Sequence, residues 1–377
     1  MTKFTKSFSE IVKAACLFID KSSKGVPVLQ TLRFNSLDNT QVAIYSTDLE
    51  DHYRGVAIAE VKGSFDVCVS AEAIGKVLSK IKDTPVISVE ADSFHIKSGD
   101  YKFKLPIVCP GEDFPVTPRL KKAFDVAISN ETAFVATLKK LSGFCTKQNV
   151  NRAYSGVLVY PRTEDACDIV STDIHRLVLV ESTYVMIPQP IVISADSIKM
   201  IDSVFIPTLT SWECSEIADD PDKLGVTNLM VCDSQQRYIT RLLKNEFPNY
   251  RAVTDGVAWK KLTFDFTFNR KGLMEKTGVI CDFYTKAIPV AKLTVTGESM
   301  LMSCDFVDVT VPAVPEKVYG EVVERGLNAK YLHQALQVFD DINIHLQMNH
   351  GLNPVFVTGL IEDCKAINAI MPLRING

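Results

Sequence analysis

Several features that would assign a chain to a membrane, to secretion or to a common class of enzyme are missing from this sequence. No stretch approaches the roughly eighteen consecutive apolar residues of a membrane span, and the opening MTKFTKSFSE lacks the pattern of a signal peptide. The sequence also has no G-x-x-x-x-G-K-[ST], no dinucleotide glycine fingerprint, no H-E-x-x-H and no G-x-S-x-G. These absences predict a cytoplasmic protein and argue against nucleotide-binding, zinc-protease and serine-hydrolase chemistry.

Closely spaced cysteines are missing as well. The ten cysteines form no C-x-x-C pair, and most lie in apolar runs such as FDVCVSA. A zinc site would need paired thiolates or histidines at short spacing, and disulfides are rare in the cytoplasm, so the pattern predicts buried, reduced thiols. The six histidines are scattered, and His345 and His350 are spaced more like strand and turn residues than like metal ligands. We therefore expect neither a metal nor an organic cofactor.

The chain also lacks an excess of positive charge. It has 41 Lys and Arg against 45 Asp and Glu, a formal net charge of −4. A protein that bound nucleic acid with its whole surface would be basic, so any DNA contact must come from a local basic surface. The length of 377 residues, with 46% apolar and 23% charged residues, is typical of a globular protein with two or three domains.

Six segments begin with a candidate N-cap and continue with apolar residues at helical spacing, which predicts six amphipathic helices. The caps lie 59 to 75 residues apart, and alternating segments such as FDVCVS and PIVIS precede them. This periodicity indicates repeated units of one helix and several antiparallel strands. The sequence thus predicts an α+β fold of three domains, at residues 1–120, 121–256 and 257–377, each with two helices packed on antiparallel sheets. The predicted caps are Ser7, Ser70, Ser129 or Asn130, Ser194, Asn269 and Asn328.

The stretch STDIHRL, residues 171–177, concentrates polar side chains. In a strand, Asp173 and His175 would share one face, and Ile174 and Arg176 the other. A hydrolase would also need a nucleophile and an oxyanion hole, for which the sequence offers no motif. The stretch STDLE, residues 46–50, repeats the Ser-Thr-Asp opening without His or Arg. We therefore expect no catalytic residues in this pattern.

Basic residues recur on or beside all six predicted helices. A solvated helix face explains any single case, but recurrence on every helix favours one surface that binds phosphates without reading sequence. The candidate DNA-binding residues are Lys13, Lys24, Lys76, Lys80, Lys139, Lys140, Lys147, Arg152, Lys199, Arg270, Lys271 and Lys330.

Six motifs together resemble the bacterial-type DNA sliding clamp, the beta subunit of DNA polymerase III. They are STDLE, EDFPVTP at 112–118, STDIHRL, EFPNYRAV at 246–253, NAKYL at 328–332 and MPLR at 371–374. The resemblance implies three clamp domains that form half of a six-domain ring, closed by a head-to-tail homodimer around duplex DNA. It also implies a processivity factor at the replisome that is not an enzyme. Its partners would be the replicative polymerase, the clamp loader and repair proteins. The implied dimer interface includes Phe103, Leu105, Leu273 and Met274.

The resemblance further implies an apolar peptide-binding cleft between the second and third domains. Three features depart from the family pattern and fit a divergent member, such as a phage-encoded clamp. Ile174 stands where glycine is common, Ala252 stands where arginine is common, and residues 375–377 extend past the usual end. The implied cleft comprises Tyr154, Thr172, Ile174, His175, Arg176, Leu177, Pro248, Val253, Pro354, Ile370, Met371, Pro372, Leu373 and Arg374.

Two other functions stay open at this point. One is a clamp-like scaffold that binds peptides without encircling DNA, and the other is a soluble enzyme with an unrecognised site. Lysines on all six helices favour the clamp over the scaffold, because a scaffold has no need of a basic surface.

Overall fold

The computed structural model describes residues 6–20, 25–82, 84–146, 152–205, 210–218, 225–244, 246–256, 259, 262–284, 288–296, 298–318, 323–349 and 352–374. The chain forms two compact units. Unit 1 comprises Met1–Ala127 and Lys199–Leu242, and unit 2 comprises Ile128–Ile198 and Leu243–Gly377. The predicted central domain, residues 121–256, contributes to both units, and the division into three domains stays a prediction.

Each of the six predicted helices is present and begins at a predicted cap. Ser7 and Glu10 form the predicted capping box, in which Glu10 Oε2 accepts from the backbone N–H of Ser7 at 2.7 Å. Asn130, rather than Ser129, caps its helix. A single turn at Arg251–Thr254 was not predicted. The helices are α1 Phe8–Ala15, α2 Ala71–Val77, α3 Glu131–Ser142, α4 Ala195–Val204, α5 Arg251–Thr254, α6 Arg270–Asp282 and α7 Ala329–Val338.

The strands carry most of the regular structure, and within the described residues those of the three larger sheets are antiparallel to their neighbours, except for one parallel pair. They are β1 Thr31–Ser36, β2 Gln41–Thr47, β3 His52–Ile58, β4 Glu60–Lys62, β5 Asp66–Ser70, β6 Val86–Glu90, β7 Ser93–Ser98, β8 Tyr101–Pro110, β9 Leu120–Asp125, β10 Ala127–Ile128, β11 Gly156–Thr163, β12 Ala166–Thr172, β13 Arg176–Ser182, β14 Val185–Met186, β15 Ile191–Ser194, β16 Ser211–Ile217, β17 Asn228–Cys232, β18 Gln236–Arg241, β19 Phe264–Asn269, β20 Val290–Thr296, β21 Ser299–Ser303, β22 Asp308–Pro312, β23 Val314–Val318, β24 Val323–Asn328, β25 Asn343–Met348, β26 Val355–Ile361 and β27 Cys364–Ile370.

Unit 1 is built on one twelve-stranded sheet, in the order β4-β6-β7-β8-β5-β1-β2-β3-β18-β17-β16-β9. Its parallel pair is β4 with β6. Helix α1 packs on β2 and β3 and buries Phe8, Ile11 and Val12 there. Just after α1, the ring of Phe18 stacks on that of Tyr53 with centroids 5.0 Å apart. The buried apolar face of α1 thus matches the periodicity that predicts it.

Unit 2 is built on a nine-stranded sheet and a four-stranded sheet. The strand orders are β15-β11-β12-β13-β27-β26-β25-β19-β23 and β22-β21-β20-β24, and a short pair joins β10 to β14. Helix α3 packs on β11 and β12, while α6 and α7 pack on each other. Strand β13 pairs with β27, so that Arg176 lies opposite Ile370. This long-range pairing brings the turn before β13 to the segment that follows β27.

All ten cysteines are free thiols, and Cys68, Cys167, Cys214 and Cys364 are buried. Within the described residues, no helix is long and apolar enough to cross a membrane. The same part of the chain contains no group of three His, Cys, Asp or Glu side chains arranged to hold a metal ion.

Candidate peptide-binding pocket

An apolar pocket of about 160 Å³ opens on unit 2 beside the turn between β12 and β13. It gathers four segments that are distant in sequence: Tyr154, this turn with the start of β13, residues 248–253, and the end of β27 with Met371. Eight of the residues expected in the cleft line the pocket, namely Tyr154, Thr172, Ile174, Arg176, Leu177, Pro248, Val253 and Met371. Asn249, Tyr250 and Ala369 line it as well, although the motif comparison had not selected them.

The other six expected residues are not among those that line the pocket. Ile370 is fully buried within β27, between β13 and β26. The backbone N–H of Met371 donates to the carbonyl of His175 at 2.9 Å, and that of Leu373 donates to Gly326 at 2.8 Å. These bonds fix the chain after β27 beside the turn. Pro354 and Pro372 are half-buried, and His175 and Arg374 are exposed.

The floor of the pocket belongs to a hydrophobic cluster in unit 2. Leu177, Tyr250 and Ala369 are shared by the pocket and the cluster. Val253 and Phe247 pack against the cluster from the segment around α5. A side chain that entered the pocket would therefore rest on a packed, apolar surface, as is typical of ligand pockets.

Asp168 holds the α5 segment against β12. It is only 1% exposed, and its Oδ2 accepts from the Tyr250 hydroxyl at 2.7 Å and from Arg251 at 2.6 Å. Arg162 lies 3.4 Å from the other carboxylate oxygen. Burial raises the pKa of Asp168, while Tyr250 and the two arginines act in the opposite direction. These contacts set the position of Pro248 and Val253 at the pocket wall.

Arg176 is buried and joins the pocket wall to helix α7 and to Phe144, which follows the end of α3. Its Nε donates to Asp173 at 2.9 Å, and a terminal nitrogen donates to Gln334 of α7 at 2.6 Å. Its guanidinium lies over the ring of Phe144 at 4.4 Å and over that of Tyr331 at 4.6 Å. Planar stacking and a forked set of donors are properties that lysine lacks. Arg176 therefore fixes the turn as well as lining the pocket.

The Asp173 and His175 side chains are engaged separately. Asp173 accepts from the backbone N–H groups of His175 and Arg176 at 3.1 and 3.0 Å, in addition to the Arg176 side chain. The ring of His175 stacks on Tyr331, with the centroids 6.3 Å apart. Both residues therefore serve the turn and its contact with α7.

The turns at STDLE and STDIHRL have the same hydrogen bonds. Thr47 Oγ1 donates to the carbonyl of Asp51 and accepts from the N–H of Leu49, at 2.7 and 2.9 Å. Thr172 Oγ1 makes the equivalent bonds to Arg176 and Ile174, at 2.7 and 3.1 Å. Leu49 has φ of 79° and Ile174 has φ of 76°, both in the left-handed region. This conformation explains why glycine suits the position of Ile174.

The comparisons with known proteins agree with this architecture. No protein-family model matches the chain. The beta sliding clamp of Synechococcus elongatus is 22% identical over 367 residues, which cover 93% of this chain and 92% of that protein. That of Haemophilus influenzae is 22% identical over 369 residues and 93% of each chain.

Solved structures give the same result. A putative DNA polymerase III beta subunit from Eubacterium rectale matches with a TM-score of 0.82, at 14% identity and 97% coverage of both chains. The DNA polymerase III beta subunit of Thermotoga maritima gives 0.79 at 20% identity, covering 98% of this chain and 97% of that one. The chain has the fold of the bacterial beta sliding clamps. The family resemblance inferred from the six motifs is thereby confirmed.

A bound peptide is present in a solved beta clamp of similar fold. This is the Helicobacter pylori beta clamp bound to a DNA ligase peptide, and it matches with a TM-score of 0.79 at 16% identity, over 97% of both chains. A beta clamp of this fold therefore binds a peptide from another DNA-processing protein.

On this clamp fold, most of the described candidate DNA-binding residues are exposed. Some of them have intramolecular partners. Lys76 pairs with Glu72 at 2.6 Å. Lys140 is half-buried and pairs with Asp340 and Glu362 at 2.7 and 2.8 Å. Arg270 donates to the carbonyls of Asp341 and Leu336 at 2.7 and 3.2 Å. Lys24 and Lys147 lie outside the described residues. The exposed set is Lys13, Lys76, Lys80, Lys139, Arg152, Lys199, Lys271 and Lys330.

The residues expected at the dimer interface are less accessible than the clamp resemblance implied. Leu273 is fully buried in unit 2, and Leu105 is buried in unit 1, so neither side chain has free surface for a second protomer. Phe103 and Met274 are half-buried. A different apolar surface is exposed near the end of α6. Phe283 is 50% exposed, Phe306 is 61% exposed, and their rings stack with centroids 5.7 Å apart.

Proposed function

We propose that this protein is a DNA sliding clamp: a homodimeric ring that encircles duplex DNA and tethers the replicative polymerase. In this proposal it has no catalytic activity of its own. The pocket on unit 2 binds short apolar peptides from the polymerase, the clamp loader and repair proteins, which exchange at the same site.

The observation that carries the proposal is the convergence of three clamp motifs on one apolar pocket. The turn STDIHRL, the segment around Pro248 and the end at Met371 are far apart in sequence and meet at this pocket. A cavity of roughly 150 Å³ is enough to hold a benzene ring, so the pocket accepts one leucine or aromatic side chain. A few apolar anchors of this kind give the modest affinity that partner exchange requires.

Exposed lysines on the helices support the DNA-binding part of the proposal. They offer charge to phosphates and no specific base contacts, which is what free movement along DNA requires. Because the whole chain has a net charge of −4, this basic surface is local. It also favours a clamp over a peptide-binding scaffold, which needs no such surface.

Two strand edges support the homodimer. Residues 101–106 of β8 pair only with β7, and β22 pairs only with β21, among the described residues. Lys102 and Lys104 are exposed on β8, and Asp308 is exposed on β22. An unpaired strand edge can pair with a strand of another protomer, and opposite charges on the two strands favour that pairing. We infer that β8 of one protomer pairs with β22 of the other, with Phe283 and Phe306 beside the contact.

Binding of the Helicobacter pylori DNA ligase peptide, labelled with fluorescein, tests the pocket. We expect Met371→Glu to weaken binding at least tenfold, because the charge would have to be desolvated beside the bound apolar side chain. Leu352→Glu is the matched control, since Leu352 is an exposed apolar residue of unit 2 that is not among those lining this pocket. Fluorescence anisotropy measures both affinities. Equal binding by the two variants would show that the peptide uses another site.

A further inference from the structure

Ile174 occupies a backbone conformation that opposes its side chain. Its φ of 76° lies in the left-handed region, where a β-branched residue is an outlier and glycine is unstrained. Leu49 has φ of 79° at the same position of the other turn, so this turn accepts an apolar residue in both copies. The strain at Ile174 is the greater because its Cβ is branched.

The surroundings of the two side chains differ. Ile174 is 60% exposed and lines the pocket beside Leu177, Val253 and Met371. Leu49 is 58% exposed, belongs to unit 1 and is not among the residues that line this pocket. An exposed apolar side chain contributes favourably to binding when a partner removes its surface from water. Ile174 is held at the place where a bound peptide would cover it.

The turn itself fixes this placement. The N–H of Ile174 donates to Thr172, and the neighbouring N–H groups donate to Asp173. Arg176, clamped between Phe144 and Tyr331, anchors the end of the turn. Because the backbone of the turn is already ordered, binding of a ligand to Ile174 carries no additional entropic cost of ordering it.

We propose that Ile174 determines the specificity of the pocket. It forms one side of the mouth, so that a leucine-sized side chain of the peptide is enclosed between Ile174 and Met371. A shorter side chain leaves Ile174 uncovered. The inference rests on the proposed peptide-binding function and adds to it the residue that discriminates between large and small apolar anchors.

Two fluorescein-labelled peptides test this role. Both are the Helicobacter pylori DNA ligase peptide, and in the second every large apolar residue is replaced by alanine. We expect Ile174→Gly to weaken binding of the first peptide about fivefold, because the peptide no longer buries about half of the surface of an isoleucine side chain. The affinity for the alanine peptide should change by less than about twofold on the same substitution. The ratio of the two affinities therefore falls.

Leu49→Gly is the matched control, since it replaces an exposed apolar residue by glycine at the equivalent position of the other turn. It should leave both affinities unchanged. Ile174→Ala removes the side chain but keeps the restricted backbone, and should weaken the first peptide as much as Ile174→Gly does. The unfolding temperature of Ile174→Gly should not be lower than that of the wild type, because glycine adopts this φ without strain.

Three results would overturn the role of Ile174 while peptide binding at the pocket stands. They are wild-type affinity in Ile174→Gly, equal weakening in Leu49→Gly, and undiminished affinity in Ile174→Ala. A different result removes the proposed function as well: a wild-type protein that binds the ligase peptide no better than Met371→Glu does.

Discussion

At the scale of single residues, the two Ser-Thr-Asp turns differ at the residue whose backbone carbonyl accepts from the threonine hydroxyl. The carbonyls that accept from Thr47 and Thr172 belong to Asp51 and Arg176. Asp51 accepts from the hydroxyl of Tyr238 at 2.9 Å, while Arg176 reaches Gln334 and two aromatic rings. The backbone turn is thus repeated, and its side chains have diverged so that only the second copy supports the pocket.

Asp51 gives a pH dependence that can be measured. Burial raises its pKa to about 6, with Asp48 and Glu50 acting in the same direction. Because the folded chain binds this proton more tightly than the unfolded chain, the resulting stabilisation is present below about pH 4. It is lost as the pH rises through 6.

The variant Asp51→Asn cannot titrate and serves as the reference. Between pH 4 and pH 7, the wild type should lose about 2 kcal/mol of unfolding free energy relative to Asp51→Asn. Urea unfolding at a series of pH values measures this difference. A difference that is constant with pH would contradict the raised pKa.

At the scale of elements, the helices were predictable and the sheet pairings were not. A cap such as Asn328 and the apolar stripe after it are local signals, so the starts of the six helices could be read from neighbouring residues. The pairing of β13 with β27 joins residues far apart in the chain, and no local pattern specifies it. This pairing creates the pocket, which is why family motifs, rather than periodicity, were needed to find it.

Helix α6 shows where a local signal was too weak. Its two glycines dilute the apolar pattern, and Leu273 was expected at the surface on the strength of the resemblance. In the structure Leu273, Thr277 and Ile280 form the buried face. Val279 and Phe283, four residues apart, are exposed instead. Residues four apart lie on the same side of a helix, so the spacing of Val279 and Phe283 could have predicted an apolar face distinct from that of Leu273.

Two substitutions on or beside α6 should therefore act differently. Leu273→Ala should cost about 2–5 kcal/mol of stability, because it leaves a cavity in a packed core. Phe283→Glu should leave each protomer folded but weaken the dimer, since it places a carboxylate in the proposed apolar contact. Urea unfolding measures the first effect, and light scattering over a range of concentrations measures the second. A dimer that is unaffected by Phe283→Glu would place the interface elsewhere.

At the scale of the whole molecule, composition alone indicated a globular protein of two or three domains with a net charge of −4. The spacing of the helix caps predicted the α+β fold, and the positions of the lysines predicted a local basic surface. The resemblance to the sliding clamps rested on six short motifs that occur in the order found in that family. Comparison with known proteins then confirmed it. What sequence could not supply was the burial of individual side chains. Lys140 and Arg270 were expected to face DNA, and both are engaged within unit 2.

Retention on circular DNA is the decisive test of whether the protein encircles duplex DNA. Protomers are diluted, mixed with nicked circular plasmid and concentrated, so that rings close in the presence of DNA. The complex is then washed at about 0.5 M salt, where phosphate contacts alone are largely lost. Linear plasmid of the same sequence is treated in parallel.

We expect the wild type to stay on circles and to leave linear DNA. The variant with Lys80, Lys199 and Lys330 changed to Glu should be retained far less. A control with the exposed strand residues Lys62, Lys121 and Lys365 changed to Glu should behave like the wild type. Equal retention of the wild type on circular and linear DNA would contradict encirclement.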